Sequence, residues 1–263
     1  MSTFDPAPAA AILAGAMSTG HRIAALPEAQ RPRTLAEGYD VQDRLALEAS
    51  RGLNLADKPA GWKLGFGSTN AMKAAGLDRP VIGRVYASRL LQDGAKVRAP
   101  AGAQALIEIE IAFTLGRDVA PTDRIAQPLE AVAETHLVCE VVLSRFTDRR
   151  TVGLPSFAAD SVGFHALVIG PKTQPSAIDA IARSMVVALD GQEAARGSSG
   201  DDAINPVTML AALMAHARER QITLRKGEVV TTGTLSKPFD APVPSTIDAH
   251  ADGLSLRFTL VAA

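Results

Sequence analysis

A single cysteine, Cys139, occurs in 263 residues, which excludes an intramolecular disulfide framework and fits a reducing cytoplasm. Aromatic side chains are scarce at 4%, too few to suggest a platform for stacking nucleic-acid bases. Neither sign of charge is in excess, since 27 Lys and Arg face 28 Asp and Glu. No Lys/Arg cluster stands out to attract a phosphate backbone, so nucleic acid is not an expected partner. No run of about 18 apolar residues is present to cross a bilayer. The early apolar stretch from Ala9 to Met17 is short and lacks the basic lead of a secretory signal. Also missing are a Gly-x-Ser-x-Gly elbow, a phosphate-binding loop and a dinucleotide fingerprint. The histidines at 21, 136, 165, 216 and 250 have no metal-ligand spacing. Apolar residues make up 47% and charged residues 21%, as in ordinary globular proteins. The expectation is a soluble cytoplasmic protein acting on a small molecule.

The first third reads as helical. Ala9 to Ser18 is an Ala-rich helix that Gly20 terminates, and Pro27 and Pro32 mark a connector. Thr34-Leu35-Ala36-Glu37 is a capping box for a helix running to Arg51 and stopping at Gly52. From about Ala60 the apolar period shortens towards two. Strands are expected at Gly61–Phe66, Ala105–Leu115, Leu137–Leu143, Phe164–Ile169, Met185–Leu189, Glu228–Thr232 and Leu254–Leu260. Short helices are expected after Ser68 as far as Ala75, over Pro128–Thr135, and after the Asn205-Pro206 pair to about Arg218. Asp190-Gly191 signals a hairpin. With no regular βαβ alternation the expected class is α+β: an N-terminal helical region, 1–58, on a β-rich core, 59–263, read as one structural unit.

Ile107-Glu108-Ile109-Glu110-Ile111 places Glu108 and Glu110 on one face of a strand, with backbones about 6–7 Å apart. The same alternation is also the signature of a half-exposed antiparallel strand. Glu140 tips the balance, because every neighbour in Leu137 to Leu143 is apolar. A buried carboxylate must be paired, protonated or bound to metal. Three carboxylates together repel, and a divalent cation such as Mg²⁺ or Mn²⁺ resolves the conflict. Lys63, between Trp62 and Leu64 with glycines on either side, is either a desolvated acid–base lysine of lowered pKa or a surface lysine snorkelling past Trp62. Gly227 to Thr234 ends a strand in a Thr/Gly turn whose N–H groups suit a substrate carboxylate, and an ordinary strand end fits equally.

Five segments in register resemble the 2-keto-4-pentenoate hydratase / 2-oxo-3-hexenedioate decarboxylase family of the fumarylacetoacetate hydrolase superfamily. They are Tyr39-Asp40-Val41-Gln42, Gly61-Trp62-Lys63-Leu64-Gly65 with Ser68 to Met72, Glu108 to Gly116, Glu140 to Arg145, and Lys226 to Thr234. The resemblance implies a mixed β-roll, with Mg²⁺ or Mn²⁺ on Glu108, Glu110 and Glu140 and a catalytic Lys63. It also implies substrate contacts from Gly65, Ser68, Asp160, Ser161, Thr232, Gly233 and Thr234. The implied reaction is hydration of 2-hydroxy-2,4-dienoate or 2-oxo-enoate intermediates of aromatic or related ring catabolism, giving 4-hydroxy-2-oxo acids. Decarboxylation of a 2-oxo-3-enedioate is the alternative, followed by cleavage of an acylpyruvate and by a non-catalytic homologue. Expected partners are a small 2-oxo acid and further copies of the chain.

The chain departs from the family pattern at three places. Leu143 and Val81 stand where relatives carry Asp, and Asp160-Ser161-Val162-Gly163 replaces an Asp-Asn-Ala-Ser stretch. These departures point to a divergent member with altered substrate or chemistry.

Overall fold

A computed structural model describes residues 4–50 and 58–263. Its helices are α1 (Ala7–Thr19), α2 (Leu35–Ser50), α3 (Thr69–Ala75), α4 (Leu154–Ala159), α5 (Ile178–Ser184) and α6 (Pro206–Glu219). Its strands are β1 (Pro59–Gly65), β2 (Val81–Tyr86), β3 (Leu90–Gln92), β4 (Lys96–Ala99), β5 (Gln104–Leu115), β6 (Val132–Val142) and β7 (Phe164–Thr173). They continue with β8 (Val186–Leu189), β9 (Gln192–Arg196), β10 (Val229–Thr234), β11 (Phe239–Pro242), β12 (Ser245–Ala251) and β13 (Leu254–Ala262).

Local chemistry sets several boundaries. Glu37 N–H donates to Thr34 Oγ1 at 3.2 Å and Thr34 N–H returns a bond to Glu37 Oε2 at 3.3 Å, the reciprocal cap that starts α2. The expected end of that helix, Arg51 and Gly52, lies outside the described residues. Asn205 Oδ1 accepts from Val207 and Thr208 N–H at 2.9 and 3.0 Å, and Pro206 opens α6. Asp190 (φ 50°) and Gly191 (φ 79°) both adopt positive φ, as a two-residue turn between β8 and β9 requires. The helix expected over 128–135 shrinks to one 3₁₀ turn, Pro128–Ala131. Val132, Glu134 and Thr135 instead pair with Leu115, Thr114 and Phe113, so the β5 ladder overrides a weak local helical pattern.

Two sheets result. The larger runs β2-β1-β10-β5-β6-β7-β3, with β11 extending along β5, and the smaller runs β4-β13-β12-β8-β9. Most pairs are antiparallel, while β1/β10, β3/β7 and β4/β13 are parallel. Strand alternation gives the larger sheet two buried faces. Ile107, Ile109, Ile111 and Cys139 face a core shared with Ile247, Phe258 and Leu260 of the smaller sheet and with Leu210 and Leu213 of α6. Ala112, Val138, Val81 and Val85 face the other way, under Leu13 of α1, Val41 and Leu45 of α2 and Phe157 of α4. Gln42 bridges these layers by donating to the carbonyls of Ile82 and Ala158. Among the described residues, no helix is long and apolar enough to cross a membrane.

Candidate metal centre

The β5/β6 register sets Glu108 directly opposite Glu140, and Glu110 follows two residues along the same face. On the other flank of β5, β10 brings Thr234 opposite Glu110, and Gly233 N–H donates to Glu110 Oε2 at 2.8 Å. One oxygen from each of the three glutamates lies within 4.8 Å of the others. Glu110 and Glu140 are 0% exposed and Glu108 is half-buried, so this is not the solvated face of an exposed strand.

The carboxylates are underserved by the protein. Among the described residues, Glu110 Oε1 and Glu140 Oε2 have no hydrogen-bond donor, a costly state for buried oxygens. Lys63 reaches in from β1, its Nζ 2.8 Å from Glu140 Oε1, with the side chain 2% exposed. One ammonium thus faces three carboxylates, and a divalent cation with oxygen ligands at about 2.0–2.1 Å closes the difference in charge and in coordination. The donor set fits Mg²⁺ or Mn²⁺.

The electrostatics follow from burial and mutual charge. Burial raises Glu140 to about 7, with Lys63 pulling it down and Glu108 pushing it up. Burial, then Glu140 and Glu108, holds Glu110 well above the ordinary carboxylate range. For Lys63 the sequence-based expectation was a lowered pKa. Burial does pull the ammonium down, but Glu140, Glu108 and Glu110 together outweigh it, and the net shift is upward. Nor does Lys63 snorkel to the surface. Trp62 points to the opposite face, stacks under the Arg84 guanidinium at 3.7 Å and donates from Nε1 to Glu228 at 2.9 Å.

A strained turn completes the lysine's setting. Ser161 (φ 50°) and Val162 (φ 54°) both lie in the left-handed region, and for β-branched Val162 this costs about 1–3 kcal/mol. The turn directs the Val162 carbonyl to accept from Lys63 Nζ at 3.4 Å. Gly83 makes room for it, because a Cβ there would sit 2.5 Å from the Ser161 carbonyl oxygen and 2.9 Å from Lys63 Cγ. Gly83→Ala is therefore expected to cost about 1–3 kcal/mol through overpacking and to lower turnover by displacing Lys63. Thermal unfolding and steady-state kinetics check this, and unchanged values of both would contradict the contact.

Lys63 and Glu108 open onto a cavity of about 960 Å³, whose wall also includes Gly65, Ser68, Gly233 and Thr234. Three residues expected to contact substrate lie off that wall. Asp160 is fully engaged: it accepts from Ser144 Oγ at 2.7 Å and Arg145 N–H at 3.0 Å, and forms an ion pair with the Arg145 guanidinium. Thr232 Oγ1 donates to the Ile111 carbonyl at 2.8 Å, and Ser161, itself part of the strained turn, is buried. Val81 and Leu143 are core residues as well, so the missing carboxylates do not strip the cavity wall. His165, the second residue of β7, bonds through Nε2 to the Arg98 carbonyl at 2.8 Å, and burial drives its imidazole down to about 4. Because Asp160 leaves Arg145 buried and unpaired when lost, Asp160→Ala should destabilise the fold by about 3–5 kcal/mol in denaturant titration. An unchanged midpoint would overturn the structural role.

Sequence reasoning missed several wall residues. Arg149, Arg150, Leu154 and Phe157 follow β6, Arg196 ends β9, and Ile204 and Lys237 come from distant loops. The adjacent Arg149-Arg150 pair was visible in the chain, but its approach to the cavity depends on how the loop after β6 turns back.

A curled mixed sheet carrying three convergent carboxylates and a buried lysine defines a divalent-metal enzyme. Residues 49–260 match the fumarylacetoacetate (FAA) hydrolase C-terminal family, and the chain belongs to that family. It is 32% identical to a 2-keto-4-pentenoate hydratase of Burkholderia vietnamiensis over 206 residues, spanning 77% of this chain and 78% of that protein. A 2-keto-4-pentenoate hydratase of Paraburkholderia phymatum is 29% identical, with 93% of each chain covered. Among solved structures, 4-oxalocrotonate decarboxylase from Pseudomonas putida G7, complexed with magnesium and adipate, superposes with a TM-score of 0.83 at 19% identity over 99% of both chains. That likeness speaks for the fold.

Proposed function

We propose that this chain is a divalent-metal-dependent hydratase that adds water to 2-hydroxy-2,4-dienoates or the related 2-oxo-enoates, giving 4-hydroxy-2-oxo acids, in the cytoplasm. The observation that carries the reading is the buried Glu108–Glu110–Glu140 cluster, with Lys63 at the wall of a large cavity, in a chain whose relatives include several named hydratases.

Glu108, Glu110 and Glu140 would hold Mg²⁺ or Mn²⁺. When bound, the cation supplies Lewis acidity towards the 2-oxo and carboxylate oxygens of a substrate. Lys63, kept charged by the glutamates and aimed by the Val162 carbonyl, enters as the acid that delivers a proton to a substrate carbon. Glu140, whose Oε1 lies 2.8 Å from Lys63 Nζ, would hold that ammonium in position beside the metal site. Ser68, Gly233 and Thr234 border the space for the substrate's polar head, and Val142, Leu154 and Phe157 provide apolar wall that limits water to the reacting end.

The test is incubation of the Mg²⁺- or Mn²⁺-loaded enzyme with 2-hydroxypenta-2,4-dienoate and its longer homologues. Loss of dienol absorbance with a product heavier by one water is expected. Carbon dioxide released from a 2-oxo-3-enedioate, with no water added to any dienoate, would replace this reading with a decarboxylase. Assembly into a homo-oligomer belongs to the same proposal and is decided by light scattering.

A further inference from the structure

The cavity is larger and more basic than a short monocarboxylic acid needs. Its volume, about 960 Å³, lies at the upper end of the roughly 300–1,000 Å³ range typical of small-molecule sites. Next to the metal centre the wall is apolar at Leu106 and Val142, and basic side chains from other segments line the same cavity. Leu106 and Val142 face each other across β5 and β6 one pleat beyond Glu108 and Glu140, a step of about 6–7 Å. The chain leaves β6 there and returns to the cavity with Arg149, Arg150, Leu154 and Phe157, while Arg196 at the end of β9 and Lys237 line it from other segments.

These cations are not equivalent. Arg196 is paired with Glu193, and Arg150 lies 3.9 Å from Asp240. Lys237 is exposed to solvent. Asp148, on the same turn, accepts the Arg150 N–H and is absent from the cavity wall. Asp202 does line the wall, but it is engaged by the Asn70 side chain at 2.8 Å. Arg149 is half-buried, lines the cavity and has no ion pair or hydrogen bond among the described residues. A partly desolvated guanidinium with an open planar fork is suited to a carboxylate arriving from the cavity.

We infer that Arg149 selects substrates carrying a second anionic group at the end remote from the metal, so that the preferred substrate is a dianionic 2-oxo or 2-enol acid with an apolar middle. The inference rests on the proposed reading of the metal end and specifies the opposite one. Binding is measured by titration calorimetry on the full chain loaded with Mn²⁺. The probes are unreactive pairs of equal length: 2-oxohexanoate against 2-oxohexanedioate, and 2-oxoheptanoate against 2-oxoheptanedioate. The dicarboxylate of at least one pair should bind about 10–100-fold tighter, as expected for a charge-assisted hydrogen bond in a partly buried site. Arg149→Ala should bring that ratio close to one, and Arg149→Glu should invert it. Both substitutions fall on a loop at a half-exposed position, and circular dichroism verifies folding. Equal affinities in the unmodified protein, or a preference unmoved by both variants, would overturn the inference. Metal-dependent binding of the monocarboxylates without any preference removes Arg149's role and leaves the metal-end reading standing. Failure of every acid to bind in the presence of Mn²⁺ removes both.

Discussion

Replacing Lys63 by methionine should lower turnover by about 10²–10⁴-fold, the range lost with a positioned general acid. The effect should fall mainly on kcat, because the glutamates and the Gly233–Thr234 turn, the proposed contacts for the substrate's head, stay at the cavity. A second consequence is less common for an active-site lysine. Lys63 is the ammonium that offsets the buried carboxylates, and its loss leaves Glu140 without its ion-pair partner. Breaking a buried pair from one side costs about 3–5 kcal/mol. The metal-free variant should therefore melt well below the unmodified protein, and saturating Mn²⁺ should recover part of the difference. Turnover retained within about threefold would remove Lys63 from the chemistry, since that is far less than loss of a general acid produces. An unchanged metal-free melting temperature would remove its structural role.

The second large effect couples metal, pH and stability. Glu110 and Glu140 are raised in the fold, so the folded state favours their protonated forms. For a carboxylate shifted upward, the stabilisation is fully present below its unfolded pKa, about 4.3, and is lost as pH rises through the folded value. For Glu140 that window closes near pH 7. The metal-free protein should thus lose stability between about pH 4.5 and 7.5. Metal needs the ionised carboxylates, so its stabilisation should grow over the same interval, reaching about 2.7 kcal/mol when the free ion stands at a hundred times its dissociation constant. Glu110→Gln separates the two halves of the argument. The glutamine oxygen can keep the Gly233 N–H bond, and its amide can donate towards Glu140, so the metal-free variant should be more stable than the unmodified protein at pH 8. The gain on adding Mn²⁺ should largely vanish. Melting curves with and without Mn²⁺ from pH 5 to 8 decide the matter. A variant that still gains fully from metal would exclude Glu110 as a ligand.

How much of this was legible in the chain depended on whether local patterns or long-range packing made the decision. The alternation through β5 and the apolar setting of Glu140 were enough to bring three glutamates together, because β pairing preserves the face on which each residue sits. The caps at Thr34, Ser68 and Asn205 were equally readable, being contacts within four residues. The upward shift of Lys63 was not readable from its neighbours in sequence, since it arises from charges on β5 and β6. Strands β2, β4, β11 and β12 carry patterns too short or mixed to stand alone, and they exist because a neighbouring strand supplies the partner. The left-handed Val162 was beyond sequence reasoning, since valine disfavours that conformation and only the packing around Gly83 and Lys63 holds it.

The face-to-face placement of Glu108 and Glu140 also bears on how the chain finds its fold. If β5 slipped by one residue against β6, Glu140 would face an isoleucine, and Glu108 and Glu110 would turn into the apolar core. Such a misaligned chain has no cluster with which to capture a cation. Metal added during refolding therefore rewards only the correct alignment, acting as a proofreader of strand register before it takes any part in chemistry.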